Sequence, residues 1–307
     1  MRTSLWLCLL AVLLPAQESI RVDVHLVNVG FSVRDAAGRL VTDLTQDDVE
    51  VFEDGVPQKV AFFARSSDVP LKLGLLMDVS GSQDSFVKPH VKDLQTFLKS
   101  VLGPQDQAFM VCFGNRLRLV ADFTNSPKDL INGLEMFHKG KVEFPEIGPR
   151  ERRILGTAFY DSIYHSVNQL MVHSEGRRKA LIIFSDGEDN SSAHHMLEAI
   201  EAAQASNVLL FCVRYTEARN GVLNARNKYG IGVMERIARE TGGADFDARE
   251  KGLKSNFEQI GEQLRSSYEL AYHSTDPTGD GSFRKIKIRS KRPDLTVRAK
   301  TGYFAAR

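Results

Sequence analysis

Cysteine and long apolar runs are both scarce in this sequence. Of its 307 residues, three are cysteine and one is tryptophan. Such a composition excludes a small disulfide-framed fold, which needs many paired cysteines in a short chain. The formal net charge is only +1, so the chain as a whole is not drawn to nucleic acid or to membrane surfaces. The length favours two domains rather than one.

The longest apolar run lies at the N-terminus. A short basic start precedes the apolar residues 4–14, and Ala16 is a small residue suited to cleavage. This order is typical of a secretory signal peptide. Signal peptidase sites usually have small residues at the cleavage position and two positions before it. Leu14, two positions before Ala16, is not small, so the exact cleavage position stays open. The alternative is an uncleaved anchor, but the run is well short of the roughly 20 residues that span a bilayer. We expect residues 1–16 to be removed and the protein to be exported, periplasmic or secreted, with no transmembrane span in the mature chain.

Two cysteines, Cys112 and Cys212, remain after such a cleavage, and each lies in an apolar, strand-like run. If these runs are non-adjacent strands of one sheet, a spacing of about 4.8 Å per strand places the two beyond disulfide reach, which ends near about 7 Å between Cα atoms. They also lack the spacing of metal ligands. We therefore predict two buried free thiols.

The middle of the chain alternates short apolar runs with amphipathic helical patterns. The apolar runs show no polar alternation, which is typical of strands buried on both faces of a parallel sheet. The predicted strands are 73–77, 108–113, 117–123, 179–184, 208–213 and 244–247, and the predicted helices are 86–102, 129–137, 159–172, 194–206, 234–241 and 253–267. A tight turn before 117–123 makes that strand antiparallel and places it at an edge. The pattern predicts an α/β domain with a doubly wound, mainly parallel, Rossmann-like sheet.

Both ends of the chain have the alternation and the turns of β structure. Neither end alone holds enough strands to bury a core. We therefore predict that they pair into one β-sandwich-like module with the α/β domain inserted between them. The predicted bounds are 17–68 for the N-terminal β segment, 69–267 for the α/β domain and 268–307 for the C-terminal β segment.

Oxygen-bearing side chains follow the ends of two predicted strands and precede one helix. Asp78, Ser80 and Ser82 follow the first strand, Thr157 opens a helix, and Asp186 follows the strand 179–184. In open α/β sheets, ligands collect just past the carboxyl ends of the strands. Hydroxyls and carboxylates in this mixture suit a six-coordinate Mg²⁺ that keeps some water. Mn²⁺ or Ca²⁺ would also fit such a set.

These motifs carry a family resemblance. The order Asp-x-Ser-x-Ser, Gly-Thr and Ser-Asp-Gly resembles the metal-ion-dependent adhesion site of von Willebrand factor type A domains, over about residues 71–267. The chain as a whole is similar to exported bacterial proteins related to that family, through a leading segment at 41–55 and a tail at 283–303.

The resemblance implies roles for the five residues. Ser80, Ser82 and Thr157 would contact the ion through their hydroxyls, while Asp78 and Asp186 would act directly or through water. A carboxylate from a protein partner would complete the shell. The alternative is a degenerate site without metal, in which Asp78 caps a turn and the serines satisfy helix amides.

Three other polar features of the sequence do not indicate a binding site. Residues 186–190 begin like a calcium loop, but no glutamate stands at the twelfth position, so we expect a solvated loop. His194 and His195 are adjacent and cannot share a helix face, so surface histidines are expected. The basic face of 283–290 predicts a solvated strand rather than a site for acidic polymer or lipid headgroups. Because exposed aromatics do not interleave with these cations, no nucleic-acid partner is expected.

The sequence favours a binding module over an enzyme. Asp78 could serve as a phosphoryl-accepting nucleophile, yet Ser80 stands where a general acid would be needed, and no Gly-x-Ser-x-Gly elbow occurs. We expect a Mg²⁺-dependent protein-binding module for adhesion or assembly, without catalytic activity. Two alternatives stay open: a structural envelope protein with an unused metal site, and a metal-dependent hydrolase.

Overall fold

A computed structural model describes most of the chain. The described residues are 26–67, 69–80, 84–140, 142–148, 156–172, 176–215, 222–248, 253–276 and 278–305, with 66 and 84–90 described by their backbone alone. The predicted signal peptide and Ser82 lie outside these residues. None of the helices in the described ranges combines the length and the apolar character that crossing a bilayer requires.

A six-stranded sheet forms the centre of the α/β domain. Its strands are β5 (Leu71–Asp78), β6 (Gln107–Phe113), β7 (Leu117–Thr124), β8 (Arg178–Ser185), β9 (Val208–Arg214) and β10 (Asp245–Asp247). Their order across the sheet is β10-β9-β8-β5-β6-β7. All neighbours pair in parallel except β6 and β7, which pair antiparallel at the edge. The predicted doubly wound sheet, with its antiparallel edge strand, is confirmed.

Helices cover both faces of this sheet. In the described part of the chain they are α1 (Asp84–Val101), α2 (Pro127–His138), α3 (Phe159–His165), α4 (Met196–Ala205), α5 (Ala225–Thr241) and α6 (Leu253–Arg265). Successive strand residues point to opposite faces, so Leu75 packs in the core beneath α1, α2 and α6 while Leu76 packs beneath α3, α4 and α5. Every residue of β5 is buried, which explains its continuous apolar run.

The observed helix bounds differ from the predicted ones, by no more than two residues at most ends and by more at the start of α5. Residues 166–170 continue α3 as a π-helix. The helix α4 starts at Met196 rather than at His194, because Glu198 accepts a hydrogen bond from the amide of His195 at 2.7 Å and caps the helix there. The helix α5 starts at Ala225, well before the predicted residue 234, since the glycines in its first half lower the helix propensity on which the prediction rested.

The two ends of the chain form a β module of two sheets. Its strands are β1 (Leu26–Arg34), β2 (Val49–Glu53), β3 (Val56–Gln58), β4 (Val60–Ser66), β11 (Ser267–His273), β12 (Phe283–Ser290), β13 (Thr296–Ala299) and β14 (Gly302–Phe304). The sheet orders are β13-β1-β11-β4 and β14-β12-β2-β3, so each sheet mixes strands from both ends. The predicted pairing of the N- and C-terminal strands is thereby confirmed, while the exact domain bounds stay predictions.

The two described cysteines lie in separate strands of the central sheet. Cys112 is in β6 and Cys212 in β9, with β5 and β8 between them. Both are free and buried, and burial raises the pKa of each thiol. The prediction of two buried free thiols is confirmed.

Candidate metal site

Asp78 and Ser185 end the neighbouring parallel strands β5 and β8 at the same edge of the sheet. The Ser185 hydroxyl donates a hydrogen bond to Asp78 Oδ2 at 2.6 Å, and the Ser80 amide donates to Asp78 Oδ1 at 2.9 Å. Asp78 itself has no exposed surface. Both oxygens of this carboxylate are therefore oriented, one by the last residue of β8 and the other by the loop after β5. Ser185 belongs to the Ser-Asp-Gly motif, but no role for it was predicted from the sequence.

The loop that carries Thr157 is joined to the loop that follows Asp186. The Thr157 amide donates to Asn190 Oδ1 at 2.7 Å, and the Asn190 amide donates back to the Thr157 carbonyl at 3.1 Å. The next amide, that of Ala158, donates to the Gly114 carbonyl at 2.8 Å, in the turn between β6 and β7. Thr157 is thus held at the strand-end edge by neighbours that are remote in sequence.

The backbone at Asp186 packs directly against helix α5. A Cβ atom added at Gly230 would lie 2.3 Å from the Asp186 carbonyl oxygen, and one added at Gly187 would lie 2.4 Å from the Gly230 carbonyl oxygen. Gly187 also has a φ of +78°, a region that L side chains rarely adopt. The position of Asp186 therefore depends on Gly187, the glycine of the Ser-Asp-Gly motif, and on Gly230, which was not singled out from the sequence.

The electrostatics at the strand ends favour a cation. Burial, with a smaller contribution from the like charge of Asp186, raises the pKa of Asp78 to about 6 even though its hydrogen bonds lower it. A divalent ion would relieve both effects because it attracts two neighbouring carboxylates at once. The donors are hydroxyl and carboxylate oxygens, which suit Mg²⁺. The residues present fit such an ion.

The structure brings four of the five predicted ligand residues to one edge of the sheet. Asp78 and Ser80 follow β5, Asp186 follows β8, and Thr157 lies on a loop bonded to the loop after β8. Ser82 lies outside the described residues. The ligand roles of all five stay predictions.

The expectation of a solvated loop at residues 186–190 is wrong for most of its length. Asp186 and Gly187 are buried, and Glu188 and Asp189 are only partly exposed. Asp189 Oδ1 accepts hydrogen bonds from the amides of Phe159 at 2.9 Å and Tyr160 at 3.4 Å, so it caps α3. Because this helix begins about 30 residues earlier in the chain, no local pattern could reveal the cap.

His194 also differs from its expected role as a surface histidine on a helix. It lies in the loop before α4, where its ring stacks on Tyr164 with ring centroids 3.6 Å apart. Its Nδ1 lies 2.8 Å from Asp161 Oδ1. His195 is exposed, as expected.

The Asn190 side chain offers a direct test of how the Thr157 loop is held. We expect Asn190→Ala to lower the free energy of unfolding by about 1 kcal/mol, because it removes an acceptor from a partly buried amide. Asn190→Asp keeps the acceptor oxygen and should retain most of the stability. Urea unfolding of both variants measures the difference. Equal losses in the two variants would contradict the proposed hydrogen bond.

Comparisons with known proteins find solved structures that are similar in fold. A scan against protein-family models and a search of curated proteins both find no match. The conserved hypothetical protein BatB from Bacteroides thetaiotaomicron is 17% identical, with a TM-score of 0.45 over 63% of this chain and 97% of that chain. Manganese-loaded TRAP protein from Plasmodium vivax is 15% identical, with a TM-score of 0.44 over 78% and 97%. A von Willebrand factor type A structure from Catenulispora acidiphila is 11% identical, with a TM-score of 0.47 over 94% and 76%.

Likenesses at these identities and TM-scores carry no argument about metal, partner or activity. The fold instead rests on the chain's own features. These are a six-stranded sheet of order β10-β9-β8-β5-β6-β7, a single antiparallel edge strand, and helices on both faces. The chain therefore contains a doubly wound α/β domain similar in fold and strand-end motifs to the von Willebrand factor type A domain.

Proposed function

We propose that this protein is an exported, Mg²⁺-dependent protein-binding module whose metal site holds an acidic residue of a partner. The observation that supports this proposal most is the environment of Asp78 in the fold. This carboxylate is fully buried, is oriented through both oxygens, and has Asp186 as a like-charged neighbour. Such an arrangement is unfavourable without a cation and becomes favourable with one.

The ligand set proposed for the ion explains why it would bind a partner. Ser80, Ser82 and Thr157 would offer neutral hydroxyls, and Asp78 and Asp186 would offer the carboxylates, directly or through water. An ion with few charged ligands keeps much of its positive charge and attracts a further carboxylate. The partner's Asp or Glu would supply it. Mn²⁺ or Ca²⁺ would fit the same oxygens.

Catalytic activity is not part of the proposal. Asp78 has no exposed surface, so its carboxylate is not open to attack on a substrate. A phosphoryl-accepting nucleophile also needs an acid that can protonate the leaving group. Ser80 occupies the position where such an acid would be needed.

Thermal unfolding with and without divalent ions tests the metal site. We expect Mg²⁺ or Mn²⁺ to raise the melting temperature of the wild-type protein, because an ion that binds only the folded state stabilises it. Asp78→Ala should abolish the rise. The control is Asp47→Ala, which removes an exposed carboxylate of the β module and should leave the rise unchanged. A wild type that does not respond to either ion would favour the structural alternative.

A pulldown from envelope fractions tests the partner. The wild-type protein should retain a partner with Mg²⁺ and release it with a chelator, and Asp78→Ala should retain none under either condition. Metal-independent capture would contradict the proposed mode of binding. Turnover of phosphate or ester substrates that is lost in Asp78→Ala would instead support the hydrolase alternative.

A further inference from the structure

We propose that Asp161, His165 and His194 form a second cation site, suited to a transition metal ion such as Zn²⁺. The candidate ligand atoms of these three side chains all lie within 4.8 Å of one another. Imidazole nitrogens together with a carboxylate oxygen are the donors that Zn²⁺ prefers. This donor set differs from the hard oxygens around Asp78 and goes beyond the function proposed above.

The secondary structure places the three ligands together. Asp161 and His165 are four residues apart on α3, so their side chains share one face of the helix. His194 reaches them from the loop before α4, with its Nδ1 2.8 Å from Asp161 Oδ1. Ligand atoms about 2.0–2.1 Å from a tetrahedral Zn²⁺ lie about 3.3 Å from each other. Small side-chain movements would therefore admit the ion.

Contacts around the cluster hold its side chains in position. The amides of Ala193 and His194 donate to Asp161 Oδ2 at 3.0 Å and Oδ1 at 2.9 Å. The His194 ring is held by its stack on Tyr164 and lies edge-on to the His165 ring, with centroids 5.2 Å apart. Partners of this kind orient metal ligands and strengthen binding.

The burial of the cluster leaves one side open to solvent. Asp161 is fully buried and His165 is 6% exposed, while the His194 side chain is 22% exposed. An ion can therefore enter past His194 and retain a water as its fourth ligand. On binding, Zn²⁺ would occupy the space between Asp161 Oδ1 and His194 Nδ1. A neutral imidazole would then carry its hydrogen on Nε2, and a protonated one would release one proton to solvent.

An ion at this position would connect the two segments that lead to the site at Asp78. Helix α3 begins directly after the loop of Thr157, and His194 lies on the loop that follows Asp186. The two segments already share the hydrogen bond between the Thr157 amide and Asn190. We assign the ion a structural role, fixing α3 to this loop.

Cobalt provides the probe, because Co²⁺ binds at zinc sites and absorbs visible light strongly when it is four-coordinate. We expect the untagged full-length protein, in excess Mg²⁺, to bind one Co²⁺ per chain and to show the visible absorption of four-coordinate Co²⁺. Added Zn²⁺ should displace the Co²⁺ and abolish this absorption. His165→Asn and His194→Asn should each weaken binding about tenfold or more. His194→Asn keeps a donor for Asp161, so its fold should be retained, which circular dichroism checks.

Two further variants separate this site from the others. His195→Asn changes the exposed neighbouring histidine and should bind Co²⁺ as the wild type does. Asp78→Ala should also bind normally, because the proposal does not depend on the Mg²⁺ site. A wild type without the four-coordinate spectrum, unchanged binding in both His165→Asn and His194→Asn, or loss of the spectrum in Asp78→Ala would each overturn the proposal.

Discussion

Replacing Asp78 by asparagine should stabilise the metal-free protein at about pH 8, by about 3 kcal/mol. Burial and the charge of Asp186 raise the pKa of Asp78 from 3.8 to about 6 in the folded state, and each pKa unit corresponds to about 1.4 kcal/mol. The folded protein therefore holds this proton more tightly than the unfolded chain does. Asparagine removes the buried charge and can keep the acceptor for the Ser80 amide.

The sign of the pH dependence follows from the raised pKa. The contribution of Asp78 to stability is fully present below about pH 4 and is lost as the pH rises through about 6. In a chelator, urea unfolding of wild type and Asp78→Asn should give similar stabilities below about pH 4, diverge between about pH 4 and 6, and differ by a constant amount above that. Excess Mg²⁺ should stabilise only the wild type. If Asp78→Asn is less stable than the wild type in chelator at about pH 8, the buried charge of Asp78 does not destabilise the metal-free protein, and the prediction is wrong.

Replacing Gly230 by alanine should destabilise the protein by about 3 kcal/mol. The new Cβ would lie 2.3 Å from the Asp186 carbonyl oxygen, and a backbone atom cannot rotate away. Helix α5 and the Asp186 loop must then separate by about 1 Å, the amount needed to restore van der Waals contact. The same movement displaces a predicted Mg²⁺ ligand, so the rise in melting temperature with Mg²⁺ should also shrink.

Gly232 on the same helix provides the matched control. It is exposed, and a Cβ there would meet nothing within 4 Å. Gly232→Ala should therefore stabilise the protein by up to about 1 kcal/mol through helix propensity alone, with an unchanged response to Mg²⁺. Equal stabilities for the two variants would show that α5 does not press on the Asp186 loop.

Much of the fold could be predicted from the order of apolar and polar residues. The run that becomes β5 has no polar alternation because both faces of that strand are covered by helices, and the turn before β7 forces that strand to pair antiparallel. Boundaries were predicted less well where a cap or a glycine decided them. The helix α4 starts at Met196 through the cap at His195, and α5 starts at Ala225.

Part of the candidate site could also be predicted from the order of residues along the chain. Asp78, Ser80, Thr157 and Asp186 are recognisable because strand ends converge at one edge of any doubly wound sheet. The roles of Ser185, Asn190 and Gly230 were missed because each acts on a residue far away in the chain. Asp161 was missed as well, since its contact with His194 joins residues 33 positions apart.

The sequence by itself determined the class of the sheet, the pairing of the chain ends, and which strand ends carry carboxylate and hydroxyl side chains. Those features follow from periodicity and from residue type, which act locally. Only the tertiary structure decided that Asp78 is buried beside Asp186, that two glycines let α5 touch the Asp186 backbone, and that two histidines meet one aspartate. Burial, close backbone approach and charge proximity depend on distances in space, and residues remote in sequence set those distances.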